Sequence, residues 1–181
     1  MTGRLLRHVL AVFAVLLAVA TQVASAQELA PRQVLRDGVP DDDITGLDPF
    51  LFLGTSGEPM ARSIFEGLVR FNFGHVSPDL MEPALAESWE LSEDGRTWTF
   101  HLRHGVQFHR GYGEVTSEDI KFSIERHTLN NGRHAPDYVN VESIETPDPY
   151  TVVFGLSSPD AFFLYTVGNF HGGYVVSKRA L

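Results

Sequence analysis

Three histidines, an adjacent pair of acids and a serine among glycines are the residues of this chain whose types and spacing could do chemistry. His101, His104 and His109 lie close enough in sequence to suggest a metal site. On a strand, however, His101 faces away from His104, and no cysteine or ordered acidic partner completes a ligand set. Glu118 and Asp119 could be a general acid and base. Adjacent residues of a helix point in different directions, and acids gather at helix starts for electrostatic reasons alone. Ser56 sits in Gly54-Thr55-Ser56-Gly57, which lacks the GxSxG spacing of a nucleophile elbow and runs into Glu58-Pro59. A glycine-rich phosphate loop of the GxxxxGK type is absent. No residue is assigned a catalytic or metal-binding role, and no cofactor is implied. What remains is main-chain chemistry. The two glycines of the 54–57 run expose N–H and C=O groups, which can grip a peptide backbone without reading its side chains. The same residues also suit a helix entry, with Ser56 or Gly57 as cap before Pro59. Both readings stay open.

The elements around these residues are legible to different degrees. Ala86 to Phe108 reads as a β-hairpin turning at Glu93-Asp94-Gly95. After the turn Trp98, Phe100 and Leu102 alternate with polar neighbours, and Trp89 and Leu91 keep the same period before it, which predicts both tryptophans on one buried face. Met60, Ala61, Ile64, Phe65 and Leu68 recur at helical spacing, with Gly67 and Gly74 at the exit. Thr116 heads a second helix, with acids in its first turn and Ile120, Ile124 and His127 along one side. Val141 to Glu145 and Thr151 to Leu156 predict two strands joined by a turn over Thr146-Pro147-Asp148-Pro149. Ser158-Pro159-Asp160 opens a short helix whose Phe162, Phe163 and Tyr165 suit core packing better than a cleft. Val34-Leu35-Arg36 reads as a first strand and Asp41-Asp42-Asp43 as an acidic turn. Asp48 precedes Pro49 and is expected to bond its own backbone rather than a ligand.

Several of these segments form an ordered series: Leu47-Asp48-Pro49, Phe65-Glu66-Gly67-Leu68, Pro83 to Glu90, Asp94 to His109, and Thr116 to Arg126. The series resembles the extracytoplasmic solute-binding proteins of the peptide and nickel type, family 5, which serve ATP-binding-cassette importers. Weaker similarity continues from Asp148 to Leu164. The resemblance implies an α/β chain: the N-terminal part of a two-lobed periplasmic-binding-protein-like fold of type II, with an extra small subdomain, truncated. It implies that residues 27–69 begin lobe I and that 70–181 form its small, incomplete subdomain. By spacing from the flanking motifs, Leu53, Gly54 and Thr55 would contact the ligand. The implied partners are a peptide or other small solute and the permease subunits in the membrane, with the protein a monomer and no bond made or broken. The groups that capture peptide termini would come mostly from the later lobe, so tight binding by this chain alone is not expected. Two departures fall in one loop. Arg110 stands where the family has an acid, and Tyr112-Gly113-Glu114-Val115 is one residue longer and lacks a proline, which leaves the path from Arg110 to Val115 open.

Composition fits export. Arg4, Arg7 and His8 lead an apolar run from Val9 to Ala20, and Ala24-Ser25-Ala26 predicts signal cleavage after Ala26, with the periplasm implied by the resemblance. About a dozen apolar residues fall short of the roughly 20 of a spanning helix. With no cysteine there is neither a lipid anchor of the lipoprotein type nor a disulfide. Loss of Arg4 and Arg7 takes the 14 basic residues to 12 against 23 acidic, a net charge of −11 that repels nucleic acid. With 181 residues the chain is far shorter than the resemblance requires, and it is expected to be a fragment or a truncated product. The competing readings are an exported remnant that binds nothing and, further off, an exported hydrolase or metal-binding protein.

Overall fold

The computed structural model describes residues 48–50, 57–72, 74, 77, 80–128, 134–168 and 173–181, all within one unit, Pro40–Leu181. The expected strand at Val34 and the acidic turn at Asp41 lie outside the described residues.

Helix α1, Gly57–Ile64, buries Ala61 and ends where the Phe65 amide donates to the Ala61 carbonyl at 2.8 Å. The sequence stripe predicted a helix through Leu68, and this is corrected. The carbonyls of Glu66, Gly67 and Leu68 accept from Val175, Leu85 and Ala86 at 3.0, 3.0 and 2.9 Å, so the run after Ile64 is tied to distant segments. Gly67 is needed at this crossing, because a Cβ there would stand 3.0 Å from the Gly173 carbonyl oxygen and 3.1 Å from that of Val167.

Strand β1, Val69–Phe71, pairs antiparallel with β2, Met81–Pro83, as a small ribbon. Next comes the expected hairpin, β3 (Ala86–Leu91) and β4 (Thr97–Leu102), in register Trp89 to Phe100. Gly95 turns the chain at φ 70°, and Asp94 Oδ1 accepts from the Ser92 hydroxyl at 2.6 Å and the Arg96 amide at 3.1 Å. Trp98, Phe100 and Leu102 are buried as their alternation predicts. Trp89 is only partly covered and Leu91 is 48 % exposed, because β3 is an edge strand with a register shift between Ala86 and Ser88.

Between β4 and the second helix the chain makes a small hairpin. Val115 donates to the Val106 carbonyl and Phe108 to that of Gly113, both at 2.8 Å, with a 3-10 turn over His109–Gly111 at its tip. This resolves the path from Arg110 to Val115. Helix α2, Ser117–Thr128, is capped through Asp119, whose Oδ2 accepts from the Thr116 amide at 3.1 Å and its hydroxyl at 2.8 Å. Ile120 and Ile124 are fully buried.

Strands β5, Val141–Asp148, and β6, Thr151–Leu156, complete a four-stranded antiparallel sheet in the order β3-β4-β6-β5. The predicted turn over Thr146 to Pro149 is corrected: β5 runs through Pro147 with a register shift, and the reversal falls at Pro149-Tyr150. An edge strand tolerates proline because one side of its ladder is unpaired. The turn is held by Asp148 Oδ1, which accepts the Tyr150 amide at 2.8 Å. Helix α3, Phe163–Gly168, places Phe163 against Phe154 with ring centroids 5.1 Å apart, whereas Phe162 is 69 % exposed. One apolar core unites the sheet's inner face, α2 and α3.

Candidate functional site

Segment 173–177 carries no helix or strand, yet every residue of it is buried. Side chains and distant carbonyls hold it. Val175 donates to the Glu66 carbonyl at 3.0 Å, Val176 to Ser123 Oγ at 3.0 Å, and the Lys178 amide to Asp119 Oδ1 at 2.9 Å. Ser123 in turn donates to the Asp119 carbonyl at 2.7 Å. This segment, the Phe65-Glu66 passage and the Val106–Val115 hairpin enclose a groove of about 440 Å³. Its walls are largely apolar, among them Phe65, Val106, Phe108, Val115, Val175 and Val176.

The groove's charges are mostly compensated. Asp48 lies at one lip, where it accepts the Phe50 amide at 3.1 Å, as its sequence context predicts. It also pairs in a two-pronged fashion with Arg126 of α2, Nη1 to Oδ1 at 3.0 Å, while the guanidinium lies 4.6 Å from the Phe50 ring centre. Sequence reading missed this pair because the two residues are 78 positions apart. Glu66 pairs with Arg103 at 3.1 Å. Arg110 lines the groove in a left-handed conformation (φ 60°, ψ 19°) and has no partner among the described residues. Ser177, 6 % exposed, also lines it, and its hydroxyl oxygen, itself buried, has no hydrogen-bond partner among the described residues. A second hollow of about 710 Å³ lies beside Arg70, Asn72 and Glu82, where Glu82 accepts from Arg70 Nε at 3.1 Å and Asn72 Nδ2 at 2.8 Å.

The residues singled out for chemistry do not converge. His101 Nε2 is 4.0 Å from Glu90, His104 stacks on Tyr150 with centroids 3.7 Å apart, and His109 lines the groove. Among the described residues no three His, Asp or Glu side chains form a metal-ligand cluster. Glu118 and Asp119 diverge as helix geometry requires. Glu118 accepts from Thr146 at 2.7 Å and Lys178 at 3.3 Å, and these bonds hold its carboxyl below the usual range. Leu53, Gly54, Thr55 and Ser56 lie outside the described residues. The described lining of the groove is largely apolar, as the walls of small-molecule sites commonly are.

Residues 81–180 match the family described as bacterial extracellular solute-binding proteins, family 5 Middle. Among curated proteins, the chain is 33 % identical to haem-binding protein A of Haemophilus influenzae over 144 residues, which is 68 % of this chain and 25 % of that one. It is 33 % identical to the probable D,D-dipeptide-binding periplasmic protein DdpA of Escherichia coli over 166 residues, 91 % of this chain and 32 % of the other. Among solved structures, the binding protein MoaA of A. tumefaciens in complex with mannopinic acid superposes with a TM-score of 0.72 at 36 % identity, covering 76 % of this chain and 28 % of that one. The periplasmic binding protein DppA of Helicobacter pylori, in complex with the peptide STSA, gives 0.64 at 32 % identity, covering 74 % and 29 %. The chain thus spans about a quarter to a third of the length of the relatives it matches. Its ordered motifs, its mixed α/β architecture and these matches agree: the chain belongs to the family 5 bacterial extracellular solute-binding proteins.

Proposed function

We propose that this chain supplies one wall of the binding component of an ATP-binding-cassette importer, which captures peptides or a related small solute in the periplasm and delivers it to the membrane permease. The observation that carries this reading is the apolar groove bounded by the Asp48-Pro49 and Ile64-Phe65 segments. Relatives described as dipeptide-binding and di/tripeptide-binding proteins support peptides as the cargo. On this reading residues 1–26 are the export signal, 27–69 begin lobe I and 70–181 form its small subdomain. Leu53, Gly54 and Thr55 then offer main-chain groups to the ligand, and the protein acts as a monomer without chemistry. The test is calorimetric titration of the complete gene product with a panel of dipeptides and tripeptides. Micromolar binding by at least one peptide, weakened at least about tenfold by Gly54→Val, is expected, since a side chain there would obstruct main-chain approach. Failure of every peptide to bind would overturn the reading.

A further inference from the structure

We propose that Asp94-Gly95 is a site of spontaneous isoaspartate formation, held shut in the folded protein by the Ser92 hydroxyl and opened when the tip of the β3-β4 hairpin loosens. This holds whatever the groove binds.

An aspartyl residue followed by glycine can close on itself. The Gly95 nitrogen attacks Asp94 Cγ and a C–N bond forms, while one carboxyl oxygen leaves as water, taking the amide proton and the carboxyl's own proton; the product is a five-membered succinimide. Water then reopens the ring. Addition at Cγ breaks the new bond and restores aspartate, whereas addition at the main-chain carbonyl breaks the original peptide bond, so that the chain continues through the side chain as isoaspartate. Nothing is oxidised or reduced, and the water lost is regained. Glycine favours the attack because no side chain shields its nitrogen. An Asp or Asn precedes glycine at Asp37-Gly38, Asp94-Gly95 and Asn131-Gly132, where Asn131 would lose ammonia in place of water; the first and last of these lie outside the described residues.

The folded turn engages both reacting groups elsewhere. Asp94 Oδ1 accepts from the Ser92 hydroxyl at 2.6 Å and the Arg96 amide at 3.1 Å, and the Gly95 amide donates to the Ser92 carbonyl at 2.9 Å. Ser92 is itself anchored: its Oγ accepts from the Thr97 amide and its own amide donates to the Thr97 carbonyl, both at 2.9 Å. Behind the turn Leu156 donates to the Arg96 carbonyl at 2.8 Å, and Gly95 lies so near β6 that a Cβ on it would stand 3.2 Å from Pro159 Cβ. Ring closure therefore requires the carboxyl to leave two donors and the Gly95 N–H to leave its acceptor. The same donors favour the ionised carboxylate, the Ser92 hydroxyl most, and an ionised carboxylate cannot lose water. Asp94 is otherwise exposed, so solvent is at hand once these bonds open. Isoaspartate would add a methylene to the main chain of a hairpin that pairs Leu91 with the buried Trp98.

The experiment incubates the complete chain in neutral oxygen-18 water, folded or in guanidinium, and reads isoaspartate and heavy oxygen in its peptides by mass spectrometry. Each passage through the ring leaves one solvent oxygen behind, even where aspartate is restored. In guanidinium Asp94 should label, and in the folded parent it should label at least about tenfold more slowly. Ser92→Ala should raise the folded rate about tenfold while the β3-β4 amides stay protected from hydrogen exchange. Ser92→Thr keeps the hydroxyl and should stay near the parent. Labelling of Asp94 in the folded parent as fast as in guanidinium, no labelling in either, or an unchanged rate in Ser92→Ala would refute the proposal. So would Ser92→Thr reacting as fast as Ser92→Ala. Acceleration in Ser92→Ala that comes with loss of the hairpin's amide protection would also overturn it, by assigning the protection to the hairpin as a whole and not to the hydroxyl.

Discussion

Replacing Ser123 by alanine should loosen the groove wall from beneath. The Ser123 hydroxyl faces the Asp119 and Val176 carbonyls at 2.7 and 3.3 Å and accepts from the Val176 amide at 3.0 Å, and these three buried contacts are unequal. Its bond to the Asp119 carbonyl, one helical turn back, duplicates an acceptor the helix already uses, so its loss is nearly neutral. The Val176 amide, in contrast, points at Ser123 Oγ from a residue only 8 % exposed, and Ser123→Ala leaves that donor buried and unpaired. An orphaned buried donor costs about 1–3 kcal/mol. Taking about 2 kcal/mol, the unfolded fraction rises roughly 30-fold, and the melting temperature falls by about 4–8 °C for a chain of this size. Urea unfolding followed by the fluorescence of buried Trp98 measures the first quantity, and hydrogen exchange at the Val176 amide locates it. Ser88→Ala, on the exposed face of β3, is the control and should stay within about 0.5 kcal/mol. A loss for Ser123→Ala no larger than the control's, with Val176 still protected, would show that something other than Ser123 holds the segment.

Two further predictions concern the sheet and the loops around it. Phe154 is fully buried, with ring centroids 5.7 Å from Phe100 and 5.1 Å from Phe163, so Phe154→Ala should cost about 3–5 kcal/mol in the same urea experiment; a loss under about 1 kcal/mol would mean the three rings do not pack in solution. The carboxyl of Glu114 is held below the usual glutamate range by the Gly105 amide at 2.6 Å and then by the Tyr150 hydroxyl at 3.0 Å. A depressed folded-state pKa contributes stability that is present above the unfolded value, about 4.3, and lost as pH falls through the folded one. Asp94 and Asp148 act in the same direction through bonds to the Ser92 hydroxyl and the Tyr150 amide. Stability should therefore decline below about pH 4.5, and Glu114→Gln should decline less steeply than the parent; parallel curves would remove Glu114 from the account.

Where local chemistry dominates, the sequence is a good guide to this structure. The Asp94-Gly95 turn and the Trp98-Phe100-Leu102 alternation announce the hairpin because both the turn and the buried face are encoded within a few residues. The Thr116 to Asp119 cap is legible for the same reason. Misreadings occur where a distant partner decides. The run after α1 bonds amides at Leu85, Ala86 and Val175, and nothing in the Phe65 to Leu68 sequence names them. Pro147 looks like a turn and is a strand residue, because the position of β5 at the sheet's edge is a property of the assembled sheet. The groove follows the same division. Asp48's bond to the Phe50 amide is predictable from its neighbours, while its pairing with Arg126 and the isolation of Ser177 exist only once α2 and segment 173–177 are in place. Arg110 stands out in the sequence only as a departure from the family pattern; its left-handed backbone at the hairpin tip is a structural finding.

The way segment 173–177 is held also sets a schedule. Ser123 and Asp119 bond residues 53 and 59 positions further along, and the Glu66 carbonyl waits for Val175. A ribosome delivers the chain from its N-terminus, so α2 is made well before the segment that fastens it to the Phe65-Glu66 passage. Closing so long a loop is entropically slow compared with forming a turn or a helix. The earlier elements therefore emerge as local structure without their final lock, and the groove is among the last features of this unit to acquire its shape.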